Sequence, residues 1–317
     1  MIERPIVIIG APRSGTTILR RCLAMHPALW HLPAESHSIL EGPLQPFDEP
    51  FDSNRCRAED VTEVTVQNLR ERFFASAINL SAVLSDPSPV FAASRLHERI
   101  LSKLATIGLG QLSKLWKPSS IRFLEKTPKN SLRVSLMNRV FPDALFVWNR
   151  RDPKPNIDSL IAGWHSTDQI GPVTLNRFAR AGYPIMDHLD LQDYTGKWWK
   201  FALVPGWRTL EGRTIGEVAA WQYYQCERCA ADDLSRVEEE RVFEVQHKDF
   251  IQQPLEIVSE ILSWAGLSVD PAVERFARNL PRVNTTSGNQ QERASGLRYP
   301  DQVRRGMGMI SGELDRR

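Results

Sequence analysis

Forty basic residues against thirty-eight acidic ones leave this 317-residue chain at a formal charge of +2, which provides no net field to attract nucleic acid. Hydrophobic residues at 42% and charged residues at 25% are ordinary globular values, so one α/β domain with insertions, 1–317, has enough apolar material for a large core, and no apolar run reaches membrane-spanning length. The chain reads as soluble and cytoplasmic, with no nucleic-acid partner and no membrane span; Cys22, Cys56, Cys226 and Cys229 are too few and too scattered for a disulfide framework and read as reduced thiols.

In chain order, Pro5 to Gly10 is a short apolar run rich in β-branched residues, and a glycine-bounded loop separates it from Thr17–Met25, which has helical spacing. That is strand, loop, helix. From Phe51 to Ser120 the period is mostly helical, with 60–84 an amphipathic stretch, and about 45–120 reads as a helical insertion over the ligand edge of a sheet. Ala144–Trp148 is a second strand, ending in Asn149-Arg150-Arg151-Asp152-Pro153. About 164–215 is an acceptor-side, tryptophan-rich region. The stretch from Trp164 to Trp221 holds Trp164, Trp198, Trp199, Trp207 and Trp221, which suit either a substrate pocket or plain core packing. A helix over 217–231 carries Cys226 and Cys229 as a CxxC without a second pair at zinc spacing, so no metal site is expected. Arg241–Val245 is a third strand, and Pro254–Ala265 an amphipathic helix. The last stretch, 281–317, reads as a ligand-covering loop and tail. Three apolar strands separated by helices predict an α/β fold with a central parallel sheet flanked by helices.

Gly10-Ala11-Pro12-Arg13-Ser14-Gly15-Thr16-Thr17 is the most informative segment. A loop between a strand and a helix start exposes backbone N–H groups and the positive end of the helix dipole, and so suits a phosphate. Thr16 and Thr17 add hydroxyls. The pattern overlaps the nucleotide P-loop, but Thr16 stands where a P-loop NTPase needs its lysine. A P-loop-type kinase or NTPase is therefore the weaker reading, and a non-catalytic nucleotide-binding relative is a third.

With His26-Pro27 following it, this loop resembles the 5′-phosphosulfate motif of sulfotransferases that use 3′-phosphoadenosine 5′-phosphosulfate (PAPS), in particular the bacterial and tyrosylprotein-type branch. The resemblance implies a P-loop-like sulfotransferase fold and a donor contact through Arg13, Ser14, Gly15, Thr16 and Thr17. It also implies that Arg151, at a strand end, and Ser159, eight residues later, hold the cofactor's 3′-phosphate. A guanidinium grips phosphate bidentately and a hydroxyl completes the shell. Arg150 is the competing ligand. The segment Arg241–Phe250 also resembles the family, with Lys248 where that branch has Glu.

Sulfuryl transfer needs in-line attack, a base and positive charge on the bridging oxygen. The sulfuryl group carries less charge than a terminal phosphoryl group, so a metal clamp is not obligatory. The resemblance gives Glu35 the part of base, and His37 is an alternative because imidazole accepts protons near neutral pH. Leu124-Glu125-Lys126-Thr127-Pro128 resembles a segment of heparan-type sulfotransferases and implies that Lys126 stabilises the departing charge, with Arg13 its partner. Trp221 is a candidate for stacking on adenine, and Arg282, Ser287 and Arg304-Arg305-Gly306 for closing over the 3′-phosphate. The expected acceptor is a hydroxyl on a small molecule, lipid or carbohydrate.

Overall fold

The computed structural model describes residues 1–44, 52–79, 117–165, 190–195 and 199–280. Most of the expected insertion, part of the tryptophan-rich region with Trp198, and the tail with Arg282, Ser287 and Arg304–Gly306 lie outside these residues.

Strand β1, Ile6–Ile9, is the centre of the molecule, and all four of its side chains are buried. Each such residue contributes roughly 1.5–3 kcal/mol when removed from water. Next come α1 (Thr16–Leu23), β2 (Leu29–His31), α2 (His37–Leu44), α3 (Glu63–Ser76), β3 (Arg122–Lys126) and α4 (Val134–Val140). They are followed by β4 (Leu145–Arg150), α5 (Pro153–His165), α6 (Ile215–Leu234), β5 (Val242–Gln246), α7 (His247–Gln252), α8 (Pro254–Trp264) and α9 (Pro271–Arg278). The five strands form one parallel sheet in the order β2-β3-β1-β4-β5. Ile8 pairs with Lys126 on one side and Val147 on the other.

Side chains alternate across the pleat, so β1 feeds two cores. Val7 and Ile9 join Phe73, Phe123, Phe141 and Phe146 on one face; Ile6 and Ile8 join Leu19, Leu23, Phe250, Val258 and Ile261 on the other. The chain is thus α/β with helices on both faces of a parallel sheet, as expected. Two strands escape the sequence reading. β2 is only three residues long, and β3 carries Arg122, Glu125 and Lys126 among its apolar residues. Within the described part of the amphipathic stretch 60–84, which ends at residue 79, the α-helix covers Glu63–Ser76. It starts where Thr62 Oγ1 accepts from Thr65 N at 3.2 Å and ends where Ala77 turns extended, so that Ile78 pairs with His31.

The tryptophans divide by role. Trp164, Trp199 and Trp207 are buried in a third apolar cluster between α5 and α6, packed edge to face with centroids 5.3 and 6.1 Å apart. These three are core. Cys226 and Cys229 are free and buried on α6, and desolvation raises both thiols.

Candidate functional site

Because β1 is flanked by β3 on one side and β4 on the other, the chain's excursions diverge at its carboxyl end, the place where open parallel sheets bind ligands. The loop Gly10–Thr17, Glu35, Lys126 and Arg151 lie at or just after the carboxyl ends of their strands, and Ser159 on α5 meets Arg13 there. The loop after β1 has its shape for steric reasons. A Cβ on Gly10 would lie 2.6 Å from the Asn149 carbonyl oxygen, and one on Gly15, where φ is +92°, would lie 2.2 Å from His247 Cε1. Arg13 itself takes a left-handed φ of 72°, a strained conformation of the kind found at ligand clamps. Asn149 Nδ2 donates to the Ser14 carbonyl at 2.9 Å and pins the loop to β4.

The loop fits an anion. Among the described residues no side chain caps the first turn of α1; Ile18 N donates to the Gly15 carbonyl at 3.1 Å, and the Thr16 and Thr17 N–H groups ahead of it suit a ligand or solvent. Ser14 is fully buried, and its Oγ has no hydrogen-bond partner among the described residues. A buried hydroxyl of this kind is costly unless something completes it.

Arg151 and Ser159 converge on Arg13 from β4's end and from α5. Arg151 Nη1 donates to the Arg13 carbonyl at 2.8 Å, and Arg13 Nε donates to Ser159 Oγ at 3.1 Å. Arg150 turns elsewhere. It pairs with Glu244 at 3.0 Å and Glu227 at 3.5 Å, and its guanidinium lies 4.5 Å over the Trp148 ring. Between the two arginines, the geometry favours Arg151 as the one facing the loop. Trp221 is tied to the turn before α6, where its Nε1 donates to the Pro205 carbonyl at 2.9 Å and its ring packs on Gly206.

Lys126 and Glu35 meet on the other side of the loop. The Lys126 side chain is almost wholly buried, and its Nζ donates to Thr17 Oγ1 at 3.1 Å and to Glu35 Oε1. Glu35 is about one-third exposed at 36%. Burial alone would raise its carboxyl, but the Lys126 charge and hydrogen bonds from His37 and Lys126 overcome that and hold it well below the usual range. Glu125 does not orient Lys126. It points to the opposite face of β3, buried, where Ser36 Oγ donates to it at 2.6 Å and Asn130 Nδ2 at 3.0 Å, and burial raises its carboxyl. With Ser36 N on Thr127 Oγ1 at 2.8 Å, Glu125 clamps the segment that carries Glu35 to the end of β3.

Glu35 and His37, alternatives in the sequence, are hydrogen-bonded to each other at 2.9 Å. The residue missed by sequence reasoning is His247. It begins α7 directly after β5, sits over Gly15, and its Nδ1 has no hydrogen-bond partner among the described residues. Burial first, and then the Arg151 charge, depress it to about 4, so it is neutral at physiological pH. Among the described residues, no group of three His, Cys, Asp or Glu is placed to share a metal ion.

A family model described as "Sulfotransferase family" matches residues 5–193, a span that includes the loop, Glu35, Lys126, Arg151 and Ser159. Several solved structures are similar. The sulfotransferase domain from the curacin biosynthetic pathway is 17% identical with a TM-score of 0.43, over 86% of this chain and 76% of that one. Sulfotransferase STF9 from Mycobacterium avium is 18% identical with a TM-score of 0.44, over 88% and 68%. A sulfotransferase from Alicyclobacillus acidocaldarius is 16% identical with a TM-score of 0.39, over 97% and 96%. No curated protein matches the chain.

Proposed function

The chain belongs to the sulfotransferase family, and on that premise we propose that it moves a sulfuryl group from PAPS to a hydroxyl of a small-molecule, lipid or carbohydrate acceptor by in-line transfer. One observation carries the reading. Two clusters of cationic and hydroxyl-bearing side chains meet at Arg13: the helix-start loop with Thr17 and Lys126 on one side, and Arg151 with Ser159 on the other. A nucleotide with phosphate at both its 5′ and 3′ positions has the chemistry to use both.

In this reading Ser14, Gly15, Thr16 and Thr17 bind the 5′-phosphosulfate through amides and hydroxyls, and Ser14 Oγ gains the partner it lacks. Arg151 and Ser159 bind the 3′-phosphate. Arg13, whose guanidinium lies on Ser159, adds positive charge between the two sites. Lys126 exchanges Glu35 for the bridging oxygen, where a cation stabilises the charge that develops as the bond breaks. Its departure strengthens Glu35 as a base, because a carboxylate that loses a cationic neighbour binds protons more tightly. Lys126 therefore masks the base until the donor arrives.

The test is transfer of labelled sulfate from PAPS to a panel of alcohols and phenols. The wild type is expected to sulfate at least one class. Glu35→Gln is expected to retain affinity for 3′-phosphoadenosine 5′-phosphate (PAP) while turnover falls by roughly 10²–10⁴-fold, the usual contribution of a general base. Undiminished turnover in that variant would remove Glu35 from the role.

A further inference from the structure

His37 lies between two acids. As the first residue of α2 it places Nε2 2.9 Å from Glu35 Oε2 and Nδ1 2.9 Å from Glu41 Oε1. Glu41, one helical turn on, is buried, and its Oε1 also accepts from Lys129 Nζ at 2.6 Å, with Arg133 Nη2 at 3.9 Å. Lys126 closes the far end on Glu35. The sequence Lys126, Glu35, His37, Glu41, Lys129 is thus a continuous line of alternating donors and acceptors running inward from the phosphate loop.

The hydrogen bonds count protons. An ionised carboxylate only accepts, and a neutral imidazole has one N–H, so it can serve one of two acids but not both. Making both bonds requires one further proton. Burial by itself would raise both carboxyls, but Lys126 and His37 hold Glu35 well below its ordinary range, and Lys129, His37 and Arg133 bring Glu41 down to about 2. The arrangement with both bonds made is therefore the proton-loaded form of the array.

We propose that Glu35, His37 and Glu41 form one proton-holding array, in which His37 and Glu41 are positioning residues that receive and retain, through Glu35, the proton taken from the acceptor. This rests on the reading of Glu35 as the base. Before transfer the array is one proton short: His37 keeps Nδ1–H on Glu41 and turns the Nε2 lone pair to Glu35. As the acceptor oxygen bonds to sulfur, the S–O bond to the 5′-phosphate breaks and its electron pair stays on the phosphate oxygen. The acceptor's proton passes to Glu35 and then along the Oε2–Nε2 contact, leaving a doubly protonated ring between two carboxylates. Solvent removes it before the next turnover.

The charged groups facing His37 set how tightly the array holds its proton. Glu35 and Glu41 favour it. Lys126 from β3, Lys129 from the turn after β3 and Arg133 at the start of α4 oppose it, as does Arg72 of α3, whose guanidinium lies on the Ser38 carbonyl. Such coupled groups titrate as a set.

The experiment follows the His37 ring nitrogens by NMR in ¹⁵N-histidine-labelled full-length protein from about pH 5 to 9, the range in which imidazoles titrate. Signals are assigned by difference from His37→Gln. In Glu41→Gln the pH at which the ring gives up its second proton is expected to fall by about one unit or more, because an opposite charge at contact has been removed. In Lys129→Met it is expected to rise. The acid limb of the kcat–pH profile in each variant is expected to move in the same direction as its ring titration, which a merely structural role would not produce. A ring titration that neither variant moves, or that both move in the same direction, overturns the proposal. If Glu41→Gln does not fold, the direction in Lys129→Met decides alone. PAP titrated into the wild type serves as a separate arm: failure to bind counts against sulfotransfer, whereas the ring titration still decides the array.

Discussion

Arg13 is the residue at which the two donor clusters join. Its backbone takes an unfavourable left-handed turn, costing roughly 1–3 kcal/mol, and Arg151 holds its carbonyl there while its side chain reaches Ser159. The run from Gly10 to Thr17 was legible because glycines, a proline and paired threonines in that order permit few alternatives. His247 was not legible. A single histidine after a strand has no local pattern, and only the sheet places it over Gly15 and beside Arg151. The signal that could have found it is positional, since β1, β3 and β4 each lead into residues of the candidate site and β5 leads into His247. Its depressed value carries a sign. The folded state keeps the ring neutral down to about 4 while an unfolded histidine protonates near 6.5, so this group's contribution to stability is full above 6.5 and is lost as pH falls towards 4. An anion bound beside the ring reverses the preference. PAP binding between those two values is therefore expected to take up a proton, seen as a buffer-dependent binding enthalpy, and His247→Phe is expected to abolish the uptake. A buffer-independent enthalpy in the wild type would separate His247 from the ligand.

At the scale of elements, what was legible followed apolar continuity. β1 and β4 are runs of buried or half-buried residues, β5 is so except at exposed Glu244, and α8 has an apolar stripe. β3 was hidden by its charged residues. Glu125 and Lys126 interrupt the apolar run, yet both are buried because Ser36 and Asn130 satisfy one and Thr17 and Glu35 the other. Partners distant in sequence made those charges tolerable, and no local period reports them. α2 was hidden too, because His37 begins a helix in what reads as a polar loop. Beneath the site a different buried pair ties the elements together. Arg55 reaches Asp233 of α6 through two hydrogen bonds of 2.9 and 2.6 Å, and the Ser135 amide at the start of α4 donates to the same carboxylate at 3.0 Å. Asp233→Ala leaves a half-buried guanidinium uncompensated. It is expected to cost about 3–5 kcal/mol in urea unfolding, with PAP affinity retained under native conditions. A loss below about 1 kcal/mol would mean that solvent replaces the carboxylate without penalty.

At the scale of the molecule, strand order assembles the site. Placing β1 between β3 and β4 puts the loop, Lys126 and Arg151 at one end of the sheet, although the loop is more than a hundred residues from the other two in the chain. Sequence spacing could pair Arg151 with Ser159 but could not show that both meet Arg13, nor that Glu35 and His37 are bonded partners rather than rivals. The central claim is that the two clusters hold the two phosphates of a single nucleotide. Calorimetric titration of Arg151→Ala with PAP and with adenosine 5′-phosphosulfate, which lacks the 3′-phosphate, tests it most directly. Loss of charge-assisted hydrogen bonds worth about 1.5–3 kcal/mol each predicts a fall of at least tenfold for PAP and little change for adenosine 5′-phosphosulfate. Equal losses for the two ligands would contradict the account.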